Sequence, residues 1–228
     1  MLNARAIAEE QMDAEGLDPL VYAAVLADLA KVNTFTMARR PTLTFLSQIK
    51  AQLKPVKILD VGFGDGDMLR GIAVWGAQRG VAVELVGIDL NPNSAPAARA
   101  ATPERHAIDY RAGDYADLAG QGWDIVLSSL VAHHMSHAQL VAFLKFMEAE
   151  ARLGWHINDL HRHGFAYLGY PLLARIMGWH RIVREDGQLS IARSYRPAEW
   201  APILLEAGIE GAHVIRQFPF RLCVNNIR

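Results

Sequence analysis

The apolar positions of the chain fall into two textures. Over the first fifty-odd residues they recur at helical spacing. Val21, Val25, Leu29 and Val32 lie 4, 4 and 3 positions apart, on one face. Pro41 suits the first turn of a second helix, with Leu46, Ile49 and Leu53 along one side. From residue 56 the pattern changes. Runs at 56–62, 81–90, 122–130 and 154–158 are short and mostly apolar, as in strands buried on both faces, and a weaker strand lies near 108–111. Helical stretches separate them at 67–79, at 93–102 and from Ser136 onward. Ser136 and Gln139 form a capping box, and Leu140, Phe143, Leu144 and Met147 supply the apolar face of that helix.

Strands alternating with helices at this rhythm imply βαβ units and a parallel sheet. The C-terminal end differs. Pro197 opens a helix, Gly208 closes it, and the runs at 210–216 and 220–226 are only a few residues apart. So short a connection permits a hairpin and forbids a parallel crossover. The expected architecture is a doubly wound α/β sheet, mostly parallel, with an antiparallel C-terminal strand pair. Residues 1–54 make a helical N-terminal cover, and residues 55–228 one domain.

Composition narrows the function classes. With 23 basic against 24 acidic residues in 228, nucleic acid is not an expected partner. The single cysteine, Cys223, fits a reducing compartment. The first residues lack a signal-peptide pattern and no stretch suits a transmembrane span, so a cytoplasmic location is expected. A monomer or a homodimer is compatible with the sequence.

The chemistry starts at "KILDVGFGDGDML" (57–69). Gly62, Gly64 and Gly66 directly follow the first strand, where a doubly wound sheet holds its ligand. Glycine there lets the backbone bend tightly and approach a ligand without a Cβ between them. The spacing is G-x-G-x-G. A dinucleotide fingerprint wants G-x-G-x-x-G, and Asp67 occupies its third glycine position. Asp65 and Asp67 at the helix start would repel a pyrophosphate and favour a ligand with a cationic end.

These residues resemble the first motif of the class I S-adenosylmethionine-dependent methyltransferases, with Asp60, Gly62, Phe63, Gly64 and Gly66 in its slots. The likeness continues through Asp89 and Leu90 at the end of the second strand, Gly113-Asp114 after the third, Asp124 to Ser129 on the fourth and His133-His134 beyond it. It implies S-adenosylmethionine as cofactor. Asp60 would orient the loop and the methionine amino group, Asp89 would take the ribose hydroxyls, and Asp114 the adenine amine. Ser129 belongs to the fourth-strand motif, and Asn33, Phe35 and Arg40 are implied contacts from the N-terminal cover. Asp124 reads better as an edge or cap residue. A nicotinamide-dependent oxidoreductase and a non-catalytic adenosylmethionine-binding partner protein are the rival readings.

The segment after the fourth strand narrows the acceptor. Ser128-Ser129-Leu130-Val131 stands where amide and base methylases carry Pro-Pro-aromatic, which speaks against those targets. "NDLHR" (158–162) resembles uncharacterised bacterial methyltransferases of polyketide and phenolic-lipid gene neighbourhoods. A small, hydrophobic phenolic or quinonoid acceptor is implied, methylated on oxygen. Removing a phenol's proton needs a base, and histidine suits that task near neutrality. Six of the nine histidines fall between 133 and 163. His134 or His161 is the expected base, with His133 as substitute and Asp159 holding an imidazole. His133, His134, His161, His163 and Asp159 match no metal-ligand spacing, so no metal is expected. Finally, Leu168, Leu172, Ile176, Trp179 and Val183 form a stripe at helical spacing, interleaved with six arginines (162, 175, 181, 184, 193, 196). Residues 160–190 thus read either as a helical lid, apolar and cationic, that receives the acceptor, or as a stripe packed on the core with the arginines as its solvated flank.

Overall fold

The computed structural model describes residues 2–14, 16–49 and 54–228; Leu53 lies outside them. Helix α1 (Pro19–Phe35) starts where Asp18 accepts from the N–H groups of Leu20 and Val21. A short α2 (Arg40–Leu46) follows. The α/β part then runs β1 (Val56–Val61), α3 (Asp67–Arg79), β2 (Val83–Asp89), α4 (Ser94–Ala101), β3 (Ile108–Ala112), β4 (Ile125–Ser129), α5 (His137–Glu150) and β5 (Gly154–Leu160). Helices α6 (Gly164–Ile176), α7 (Arg181–Arg193) and α8 (Pro197–Glu206) precede β6 (His213–Gln217) and β7 (Arg221–Ile227).

The seven strands form one sheet in the order β3-β2-β1-β4-β5-β7-β6. Every neighbouring pair is parallel except those made by β7, which is antiparallel to both β5 and β6. The order reverses between β1 and β4, so the switch point lies at the C-terminal ends of these two strands. Alternation sends Leu59, Val126 and Trp155 to one face, under α5 and α8. Ile58, Ile125 and Leu127 face the other side, under α2, α3 and α4. The capping box at Ser136 is formed in both directions. Asp124 accepts from the backbone N–H of Lys57 at 3.0 Å and pairs with Arg152, a latch between β1 and the start of β5.

A third core cluster joins the N-terminal region to the segment before α8: Val25 and Val32 of α1 pack on Ala174, Trp179, Ile182 and Val183. Here the expected single stripe is corrected. Gly178, at φ +66°, turns the chain between α6 and α7. Trp179 and Val183 are buried on α1, whereas Leu168, Leu172 and Ile176 point outward. Residues 2–14 lie along α7: Ala6 N–H donates to Ala192 O at 3.0 Å, and Gln11 and Met12 N–H to Asp186 at 3.1 and 3.0 Å. Among the described residues no single helix is long and apolar enough to cross a membrane.

Candidate active site

A cavity of about 780 Å³ opens at the switch point. Its floor is the loop after β1. Gly62, Gly64 and Gly66 all adopt positive φ (+76°, +57° and +79°). A Cβ at Gly62 would run into Val131, and one at Gly66 into Tyr110. The loop is therefore a cradle that only glycine forms. Asp89 secures it, accepting from Gly64 N–H and Asn91 N–H, each at 2.9 Å. Each oxygen retains a further lone pair for a ligand hydroxyl.

The two acids at the start of α3 have different fates. Asp65 pairs with Arg70 at 2.8 Å. Asp67 keeps Oδ2 without a partner, and both carboxylate oxygens of Asp60 are likewise unpartnered and fully buried. Burial, reinforced by Asp67 and Asp89, holds the Asp60 carboxyl well above the usual range. Burial and Asp65 raise Asp67 to about 6, against the pull of Arg39 and Arg70. Both side chains line the cavity, as does Ser129, whose hydroxyl is also unpartnered. Orphaned acids beside a glycine cradle fit a ligand that brings its own cation.

A second cluster lines the same cavity beyond β4. Leu130 is held at φ +63°, with its N–H on Asn158 O at 2.9 Å, and this turn brings His133 and His134 over the cavity. Asp159 holds His133 alone of the candidate bases: it accepts from the His133 N–H at 2.9 Å and lies 2.7 Å from Nδ1. Burial would lower the His133 pKa, but Asp159 and Glu10 outweigh it and hold it at about 9. Glu10, supplied by the N-terminal segment, stands 3.6 Å from His133 Nε2 and 3.8 Å from His134 Nε2. His134 places Nδ1 2.9 Å from Asp13.

His161, just past β5, lines the wall between Leu160, Phe165 and Phe220. Its pKa is lowered by burial and then by His163 and the arginines 216, 196 and 162, so it is a neutral imidazole at physiological pH. His163 instead caps α6, accepting from Phe165 N–H at 3.3 Å. His156 is stacked on Phe45 inside the core.

Other expected contacts divide. Leu90, Gly113, Asn33 and Phe35 are in the wall. Asp114 is not: exposed, it caps a one-turn 3-10 helix by accepting from Ala116 N–H at 2.9 Å. Arg40, at the start of α2, is exposed and also stands outside the wall. None of the six arginines of the expected cationic lid lines the cavity. Arg162 is buried on Ser194 and Glu199, and Arg193 donates to backbone carbonyls of Ala8, His133 and His134. The cation in the wall is Arg221, buried at the start of β7, with Nη2 on Thr36 at 3.1 Å and Nε and Nη1 unpartnered. Its position was readable in part, since an arginine opening an apolar strand needs a partner. Glu10 and Asp13 carry no such signal.

Residues 58–151 match the family model of a methyltransferase domain. No curated protein sequence matches the chain. Among solved structures the chain is similar to magnesium protoporphyrin IX methyltransferase (ChlM) from Synechocystis PCC 6803, solved with bound SAH. Identity is 16%, the TM-score 0.56, and the match covers 96% of this chain and 91% of that one. A SAM-dependent methyltransferase from Aquifex aeolicus matches with 16% identity and a TM-score of 0.60, over 92% and 97% of the two chains. A putative O-methyltransferase from Nostoc punctiforme PCC 73102 gives 16% and 0.60, over 89% of this chain and 60% of that one. Residues 58–151 are thus a methyltransferase domain, set in a chain with the class I methyltransferase fold.

Proposed function

We propose that the protein is an S-adenosylmethionine-dependent O-methyltransferase of small phenolic or quinonoid acceptors, working in the cytoplasm in secondary metabolism. The observation that carries this reading is the union, in one cavity, of orphaned acids beside a glycine cradle and an apolar wall with a neutral imidazole. When bound, S-adenosylmethionine supplies a sulfonium methyl group, which passes to the acceptor oxygen while the S–C electron pair stays on sulfur.

The residues divide the work. Asp60 and Asp67 take the ammonium of the methionine moiety, Asp89 the ribose hydroxyls, and Gly62 to Gly66 let the backbone approach. Phe165, Tyr170, Phe218 and Phe220 line an apolar part of the wall that suits an aromatic acceptor. Helix α1 supplies Tyr22, Leu26 and Leu29 to the wall, so the N-terminal region serves as a cover that excludes water. His161 takes the acceptor's proton, because it lines the cavity and is unprotonated near neutrality. His133 is a poor base, since its two carboxylate neighbours keep it protonated.

The test is methyl transfer from labelled donor to a panel of phenols, quinols and amines. Phenols or quinols should be methylated and amines not. His161→Ala should lower turnover about 10²-fold with donor affinity unchanged. The wild-type rate should hold near neutrality and fall in acid, as His161, its pKa lowered by burial and the neighbouring cations, becomes protonated. Full turnover in His161→Ala would remove it as base, and transfer to amines alone would overturn the acceptor class.

A further inference from the structure

Glu10, His133 and His134 come from two distant segments and turn their donor atoms toward one point. One ring nitrogen of each imidazole and one Glu10 oxygen all lie within 4.8 Å of one another. Ligands about 2.1 Å from a tetrahedral ion are themselves about 3.4 Å apart. His133 Nε2 lies 3.6 Å from Glu10 Oε1 and His134 Nε2 lies 3.8 Å from Glu10 Oε2, so the carboxylate faces one ring with each oxygen, at spacings a few tenths of an ångström from that requirement.

The groups behind these atoms match the same purpose. A metal-ligating histidine commonly gives its far N–H to a carboxylate, which fixes the tautomer and leaves the near nitrogen with its lone pair. Here both rings are oriented so, His133 Nδ1 by Asp159 at 2.7 Å and His134 Nδ1 by Asp13 at 2.9 Å. A bound ion would take the place of the proton that His133 Nε2 otherwise carries toward Glu10. Glu10 is braced in turn by the Ser190 hydroxyl at 2.9 Å, with the Arg193 guanidinium 3.8 Å from the same oxygen. A plain Glu10–His133 ion pair would account for one ring. It would not account for a second ring, with its own carboxylate, aimed at the same acid.

We infer that Glu10, His133 and His134 bind one divalent metal ion of the zinc, cobalt or manganese type on the wall of the acceptor cavity. Two imidazoles and a carboxylate leave the remaining coordination positions open to the cavity. All three ligands and Asp13 line that cavity, so the open positions face the acceptor. The site itself stands on geometry alone. Its role rests on the proposed methylation of a hydroxyl: the ion draws electron density from the acceptor oxygen and lowers its pKa. The proton then passes to His161 and on to solvent, and the oxygen lone pair becomes the new C–O bond. The ion also ties the N-terminal segment to the loop after β4, which completes the wall.

The experiment is a titration of chelator-stripped, full-length protein with Co²⁺ and with Zn²⁺, followed by visible absorption and calorimetry. One ion per chain should bind, with a rise in Tm. Glu10→Gln and His134→Ala should each weaken binding by about 10²-fold or more, and Asp13→Asn by roughly 10–100-fold. Thermal melts without metal establish that each variant folds. His134 is partly exposed, so His134→Ala carries the test where Glu10→Gln does not fold. No binding below about millimolar ion, or binding by Glu10→Gln and His134→Ala as tight as that of the wild type, overturns the site. Equal turnover by stripped and reloaded enzyme overturns the catalytic role. Tight binding in a protein that methylates no hydroxyl supports the site and refutes the acceptor reading instead.

Discussion

Asp159 accepts twice from His133, at 2.9 Å from the backbone N–H and at 2.7 Å from Nδ1, with both residues fully buried. One bond fixes the loop after β4 and the other fixes the ring. Asp159→Ala removes both acceptors and leaves the buried imidazolium with Glu10 as its remaining carboxylate, at a cost of about 3 kcal/mol. Asp159→Asn keeps one acceptor oxygen and should cost about 1–3 kcal/mol. Urea denaturation of the two variants checks the order. Equal, small losses would mean that the pair does not hold this loop.

The glycine loop makes a separate claim. At Gly66, φ is +79° and an added Cβ meets the Tyr110 hydroxyl and ring. At Gly64 φ is also positive, but the nearest atom to an added Cβ is Leu26 Cδ2 at 3.7 Å, an ordinary contact. Gly64→Ala therefore suffers backbone strain alone, about 1–2 kcal/mol. Gly66→Ala adds displacement of Tyr110, for a total of roughly 2–4 kcal/mol. Calorimetry should show that Gly66→Ala loses S-adenosylmethionine affinity by at least about tenfold more than Gly64→Ala. The reverse order would mean that Tyr110 yields freely.

The middle of the sheet was legible because β1, β2 and β4 are short apolar runs, and its edges because each connection has a length that permits one kind of crossover. The loop after β1 was legible because glycine is the residue its backbone requires. What did not show was anything decided by contacts between distant segments. The stripe from Leu168 to Val183 keeps helical spacing straight through Gly178, and periodicity does not reveal that a left-handed glycine ends one helix and reorients the next. Arg162 and Arg193 read as solvated cations, yet the fold consumes them on buried carbonyls and on Glu199. Glu10 sits in an alanine-rich stretch without a motif and reaches His133 only because residues 2–14 lie along α7. Asp114 carried a family role by position, while its side chain is spent on the local turn.

Asp67 gives a pH dependence with a definite sign. Its pKa is about 6 in the folded protein against an ordinary 3.8, chiefly through burial. The folded state therefore holds a proton that the unfolded chain releases. This contribution to stability is fully present below about pH 3.8 and is lost as pH rises through about 6, roughly 3 kcal/mol in all. An ammonium placed beside Asp67 favours the ionised form, so the affinity for S-adenosylmethionine should rise over the same window. Asp67→Asn should flatten both curves. A variant whose affinity still climbs with the wild-type slope between pH 4 and pH 7 would remove Asp67 from the cofactor site.

Arg221 offers the counterpart of these acids. Its guanidinium is buried in the cavity wall with Nε and Nη1 unpartnered, and burial lowers its pKa. A buried cation with unpaired donors is costly unless a ligand completes it. Asp67 contributes to its electrostatic surroundings, so the cavity presents acids and a fixed cation to the same ligand. An α-amino acid moiety has the matching pattern, an ammonium for Asp60 and Asp67 and a carboxylate for Arg221. Charge-assisted N–H to carboxylate bonds of this kind are among the stronger ones, and a planar guanidinium can make two in parallel. Arg221→Met keeps the apolar stem and removes the charge. It should weaken S-adenosylmethionine by about 2–3 kcal/mol, roughly 30- to 150-fold, and leave a decarboxylated donor analogue unaffected. Because the wild-type guanidinium is buried with only the Thr36 hydroxyl on Nη2, the ligand-free variant should be as stable as the parent or more so. Calorimetry with the two donors decides: equal losses for both would place the contact elsewhere on the molecule. A raised acceptor KM with unchanged donor affinity would assign Arg221 to the acceptor instead.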